Sequence, residues 1–141
     1  CGRGHPLFAK RRLSRADVLE HAFSVPEVGD SGRRMDGWPP SLPRDAGMQI
    51  TLLRSNPQVS LSGILLTVLP DVTARPHMLA GELRRFREPQ LPPIDVYAVR
   101  NKLTPARGSA LELIALVKQA LEDERKESRA ALRQVRSLVR T

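Results

Sequence analysis

Cysteine is nearly absent from this chain. Of 141 residues only Cys1 is a cysteine, so no internal disulfide can form and a reducing compartment is expected. The three histidines, His5, His21 and His77, lie far apart in sequence, which excludes the closely spaced ligand pairs of a structural zinc site. Long apolar runs are missing as well. The longest, residues 63–69, falls far short of the roughly 20 residues a membrane span needs, and the start of the chain lacks the apolar core of a secretory signal. Together these gaps predict a soluble, cytoplasmic protein with no membrane partner. There is no GxxxxGK(S/T) phosphate loop and no GxGxxG fingerprint, so the phosphates of a nucleotide have no evident cradle. The chain begins at Cys1 rather than methionine, which reads as a processed product or a piece of something longer.

What is abundant is positive charge. Lys and Arg number 23 against 15 Asp and Glu, giving a net charge of +8 and a pI near 10.9. That balance points toward acidic partners such as nucleic acid more than toward small neutral substrates. A hydrophobic content of 40% in a chain this long supports one domain with a modest core.

The chain reads as three stretches. The first, residues 1–47, is a loop-rich N-terminal segment with one local element: Ser14 and Asp17 form a capping box, with Leu13 and Val18 placed to staple a short helix over 15–23. Pro26, Gly29, Gly32, Gly37, Pro39, Pro40 and Pro43 then break every periodicity, so residues 24–43 are expected to be a disordered loop or linker. Trp38 either pins that loop to the core or marks a partner contact.

The second stretch, residues 48–121, is expected to hold the core. Residues 46–54 are ambiguous between a helix end and a strand. The apolar run over 59–69, opened by Asn56-Pro57 and closed by Pro70, has the character of a strand buried on both faces. A helix over 75–87 with Pro76 in its first turn would follow, its face formed by Leu79, Leu83 and Phe86. A second strand over 94–99 would complete a βαβ unit. Ser109 and Glu112 form another capping box, opening a long helix whose stripe of Leu113, Ile114, Val117, Ala120 and Leu121 is expected to dock on the sheet. The third stretch, residues 122–141, continues that helix as a projecting basic element, helped by charges of opposite sign three and four residues apart. The fold class is therefore α/β: a partial doubly wound parallel sheet (βαβα), with an irregular N-terminal segment and a long C-terminal helix.

No constellation supports chemistry. Asp71, Glu82, Glu88 and Asp95 do not converge by spacing, and Gly29-Asp30-Ser31-Gly32 is accounted for by a Gly-bounded turn. The strongest binding feature is the last helix. There Arg125, Arg129, Arg133, Arg136 and Arg140 recur at three- and four-residue steps along one side. Such a stripe can bridge phosphates, DNA being favoured over RNA, or it can be a solvated face paired with Glu122, Glu124 and Glu127.

Three sequence features, covering about half of the chain, resemble the C-terminal half of the ParA/MinD family of partition ATPases. The segment from Asn56 to Thr67 looks like that family's turn, buried strand and strand-end threonine. Thr73 and the stretch through Glu82-Leu83-Arg84-Arg85-Phe86 look like its following helix. Val99-Arg100-Asn101 looks like its arginine-asparagine pair after the next strand. The family's phosphate-binding and metal-binding half has no counterpart here, and Leu69-Pro70-Asp71-Val72 departs from its usual aspartate-proline-arginine. The resemblance implies a truncated or degenerate partition protein, DNA-binding, with ATP as cofactor only at the base edge: Thr67 near the adenine and Arg100 with Asn101 flanking it. ATP hydrolysis by this chain alone is not implied. A half-sheet would also be expected to self-associate through its exposed edge. The alternative is a basic RNA-binding accessory protein of a ribosome-like assembly.

Overall fold

The computed structural model describes residues 1–30, 32–52, 55–93, 95–99, 101 and 108–138, the last seven of these for the backbone alone. The chain divides into two compact units, Cys1–Pro93 and Ile94–Thr141.

The first unit is built around a three-stranded parallel sheet of order β2-β1-β3: β1 is Phe23–Pro26, β2 is Ala46–Ile50 and β3 is Leu66–Thr67. The central strand is buried along its whole length and pairs with β2 on one side and β3 on the other. Its Pro26 sits at the last position, where a missing N–H costs the ladder least. Phe23 and Val25 join Leu7, Val18 and Leu66 in the core, with Phe8, Leu13, Trp38 and Phe86 packed against it.

Helix α1, Arg15–Leu19, precedes β1 and is opened by the expected capping box. Asp17 N donates to Ser14 Oγ at 3.1 Å, and Ser14 N donates to the Asp17 carboxylate at 2.7 Å. Lys10 and Ser14 hold that carboxyl well below the usual carboxylate range. The helix ends sooner than expected, because Phe23 leaves it to start β1.

Three further expectations are corrected. The loop expected over 24–43 is neither all loop nor loosely held. It contributes the central strand, and Trp38 pins the remainder, donating from Nε1 to Leu42 O at 2.7 Å and stacking edge-on against Phe23 at 4.9 Å. The buried strand expected over 59–69 is instead helix α2, Asn56–Ser62, followed by the two-residue β3. Pro57 suits the first turn of a helix, and Gly63, left-handed at φ 72°, ends it. The expected helix over 75–87 is α3, Asp71–Leu79, with Pro76 inside it. Gly81, at φ 70°, turns the chain out, so Leu83 and Phe86 lie beyond the helix.

That outgoing segment packs on the first residues of the chain. Gly2 and Leu83 form an antiparallel bridge, Arg84 N donates to Cys1 O at 2.8 Å, and the Arg84 guanidinium reaches Leu7 O and Phe8 O at 3.0 and 2.6 Å. His5 is buried here. Its Nδ1 accepts from Leu7 N at 3.2 Å, and its ring meets His21 edge-on at 4.7 Å. Burial first, then the positive charges of His21 and the amino group of Cys1, lower its pKa below the usual 6.5. A depressed histidine pKa means the unfolded chain binds more protons, so the fold is favoured above about pH 6.5 and loses stability as pH falls through and below that value. Urea denaturation at pH 7.5 and 5.5 should show this loss. His5→Asn keeps an acceptor for Leu7 N and should remove the His5 share of the dependence, leaving that of the Cys1 amino group, whose pKa burial and Arg84 lower from 8.0 to about 6. An unchanged slope in that variant would place the titration outside His5.

In the second unit, α4 spans Gly108–Leu138, 31 residues and about 46 Å at 1.5 Å per residue. The helix expected to continue through the charged segment does so. Residues 95–99 form no strand, and Val96, Tyr97 and Val99 are exposed. Leu113, Ile114, Val117 and Leu121 are exposed too. The class is therefore α/β with a small parallel sheet and a long C-terminal helix. A βαβα order is found, but as β2-α2-β3-α3 over 46–79 rather than over the expected residues, and the central strand of the sheet comes from the N-terminal stretch.

Candidate functional site

In open parallel sheets, ligands bind beyond the carboxyl ends of the strands, and that edge of the first unit carries polar side chains. The register places Ser24 of β1 directly beside Thr67 of β3, so their side chains share one face of the sheet. Ser24 Oγ donates to Asn56 Oδ1 at 2.9 Å, both residues being buried. Asn56 opens α2, and that helix start carries the amide over the strand ends. Thr67 Oγ1 is enclosed without a hydrogen-bond partner. Just past the strands, Thr51 Oγ1 donates to the Glu27 carboxylate at 2.7 Å, and Arg34 Nη1 donates to Pro26 O at 2.5 Å. The edge thus offers hydroxyls, an amide, one carboxylate and one guanidinium, a set suited to holding a polar molecule by hydrogen bonds.

A second polar cluster stabilises the connection between β1 and β2. Arg44 Nη2 donates to the Asp36 carboxylate at 2.5 Å, with both side chains almost wholly buried at 6% and 4% exposure. The guanidinium carbon lies 5.5 Å from the Phe23 ring centre and 4.7 Å from that of Trp38, within cation–π range. Beyond Trp38, a cleft of about 400 Å³ is lined by Arg15, Pro39, Ser41, Leu42, Glu88, Pro89 and Gln90. Among the described residues no group of three or more His, Cys, Asp or Glu could hold a metal ion.

Of the residues singled out in the sequence, Thr67 stands at the end of a strand and Asn101 is exposed in the other unit. Arg100 and Arg140 lie outside the described residues. Arg125 and Arg129 are exposed on α4, and Arg133 and Arg136 are on its helical backbone. Ser24, Asn56 and the Asp36–Arg44 pair were missed. The one available signal was Asn56-Pro57, which fits the opening turn of a helix as well as a loop.

The first unit is of the parallel α/β class, in which ligands characteristically sit beyond the strand ends. The particular family is given by comparison: the family model for the LysR substrate binding domain matches residues 1–122. The chain belongs to that family. No curated protein and no solved structure matches it. The match overturns the ParA/MinD resemblance and, with it, the partition function; the ATP contact at Thr67, Arg100 and Asn101 was implied by that resemblance alone. The fold gives the physical reason. The supposed buried strand is α2 followed by the two-residue β3, Glu82 and Phe86 lie beyond the end of α3, and the described residues 95–99 ahead of Asn101 form no strand.

Proposed function

We propose that this chain is the effector-binding part of a LysR-type transcriptional regulator and takes a small polar molecule at the carboxyl edge of its parallel sheet. The observation that carries this reading is Thr67 Oγ1, a hydroxyl enclosed without a partner beside the hydrogen-bonded Ser24–Asn56 pair. An unsatisfied buried hydroxyl costs about 1–3 kcal/mol, and a ligand atom bonding to it would recover that energy. In a regulator the readout of such binding is a change in action on DNA, so nucleic acid is the partner of the whole assembly and the cytoplasm is where it works. Among the described residues no helix is long and apolar enough to cross a membrane.

The test is a thermal-shift screen of small organic acids, amino acids and sugars, followed by the same titration on Thr67→Val. Valine keeps the shape and removes the hydroxyl, so the free variant should be more stable by about 1 kcal/mol or more. A ligand at 100 times its Kd stabilises the parent by about 2.7 kcal/mol, and most of that response should vanish in the variant. An undiminished response would move the site away from the sheet edge.

A further inference from the structure

We propose that the C-terminal part of α4 is a binding face for the phosphate backbone of duplex DNA, carried by residues the effector reading does not use. The helix runs to Leu138, past residue 122 where the family match ends, so family membership does not account for its last turns. From Ser128 onward the sequence contains Arg129, Arg133, Arg136 and Arg140 and no aspartate or glutamate. Arg125, Arg129, Arg133 and Arg136 follow one another at steps of four, four and three along a continuous helical backbone. At 3.6 residues per turn these steps keep them on one side, with successive rises of about 4.5–6 Å. Duplex DNA presents a charge about every 1.7 Å of its axis, a spacing fine enough to match a row of positions with that repeat.

The state of the neighbouring charges supports this face. Arg125 and Arg129 are exposed and make no ion pair among the described residues. Two of the acids on the same helix are engaged by other groups: Asp123 accepts from Gln119 at 2.9 Å and Lys126 at 3.0 Å, and Glu124 accepts from Ser128 at 3.2 Å. The composition of α4 also selects the polyanion. The helix has no aromatic residue, so it lacks the stacking surfaces that read single-stranded RNA and the bulky aromatic anchors of a helix lying in a lipid interface. Backbone contact to a duplex needs neither.

Fluorescence anisotropy of a labelled duplex titrated with the full chain at 50 and 200 mM salt tests the proposal. Four phosphate contacts predict a slope of log K against log salt of about −3.6, a loss of roughly 150-fold in affinity over that range. The triple variant R129Q/R133Q/R136Q should reduce the slope by about 2.7. It should also keep the helical circular dichroism, because glutamine and arginine have similar helix propensity. Arg11→Gln with Arg12→Gln should leave the slope unchanged. Absence of binding at 50 mM salt would overturn the proposal. So would a triple variant that binds like the parent, or phosphatidylserine vesicles or single-stranded RNA displacing the duplex from these arginines. The outcome is independent of Thr67→Val, so the two readings fail separately.

Discussion

Asp36→Ala is expected to cost about 3–5 kcal/mol of folding stability, the loss that follows when one partner of a buried ion pair is removed and the other stays behind. Three features place this site at the upper end of point-mutant effects. Both side chains are almost wholly buried. Arg44 Nη1 has no hydrogen-bond partner, so the guanidinium relies on the Asp36 carboxylate and on the faces of Phe23 and Trp38. Asp36 Oδ1 also accepts from Trp38 N at 3.2 Å, so the variant releases the loop turn that seats the tryptophan. Trp38 is the sole tryptophan, and urea denaturation followed by its emission reports on the site directly. Domain stabilities are about 5–15 kcal/mol, so the variant should unfold at markedly lower urea. Replacing both partners, Asp36→Leu with Arg44→Met, removes the stranded charge and should recover much of the loss, though not the turn at Trp38 N. A single variant costing under 1 kcal/mol would mean that the aromatic packing alone holds the loop.

The same cluster shows why part of this fold was legible in the sequence and part was not. The Ser14–Asp17 capping box was legible because its donors and acceptors sit three residues apart, within reach of a local pattern. The long α4 was legible because its periodicity persists for many turns. Strand β1 was not: Phe23–Pro26 is four residues long and flanked by turn formers, and its burial comes from pairing with residues 46–50 and 66–67. Tertiary contact, not propensity, makes it a strand. Helix α2 and β3 were merged into one strand because seven residues of helix give too short a window for a 3.6-residue period. The separating signal, left-handed Gly63, is one residue among several glycines.

The candidate site followed the same division. Thr67 was placed at a strand end only through the resemblance to partition ATPases, since the apolar run itself extends to Leu69, and its neighbour Ser24 comes from a stretch that reads as loop. Their adjacency exists only once the parallel register is formed. The resemblance to partition ATPases failed for a related reason. It rested on the order of short apolar and polar segments, and an apolar segment bounded by prolines is compatible with either helix or strand.

Gly63→Ala is expected to destabilise the first unit by about 3–5 kcal/mol, combining a left-handed backbone with a collision. At φ 72° and ψ 13° Gly63 caps α2, and an alanine held there costs about 1–2 kcal/mol. Its Cβ would stand 2.7 Å from Gly4 Cα and 2.8 Å from the Gly4 backbone N and C, distances that backbone atoms cannot accommodate without moving. Gly4 belongs to the segment that closes against Leu83 and Arg84, so any relief would pull on those contacts as well. Gly2 makes a similar close approach, where a Cβ would run into the carbonyl oxygens of Ser60 and Leu61. Gly32→Ala supplies the control: its φ is also left-handed at 70°, but a Cβ there meets nothing within 4 Å. That variant should show only the conformational cost of about 1–2 kcal/mol. The difference between the two variants, measured by denaturation under identical conditions, isolates the collision. Equal losses would mean that the N-terminal segment is not seated on the end of α2 in solution.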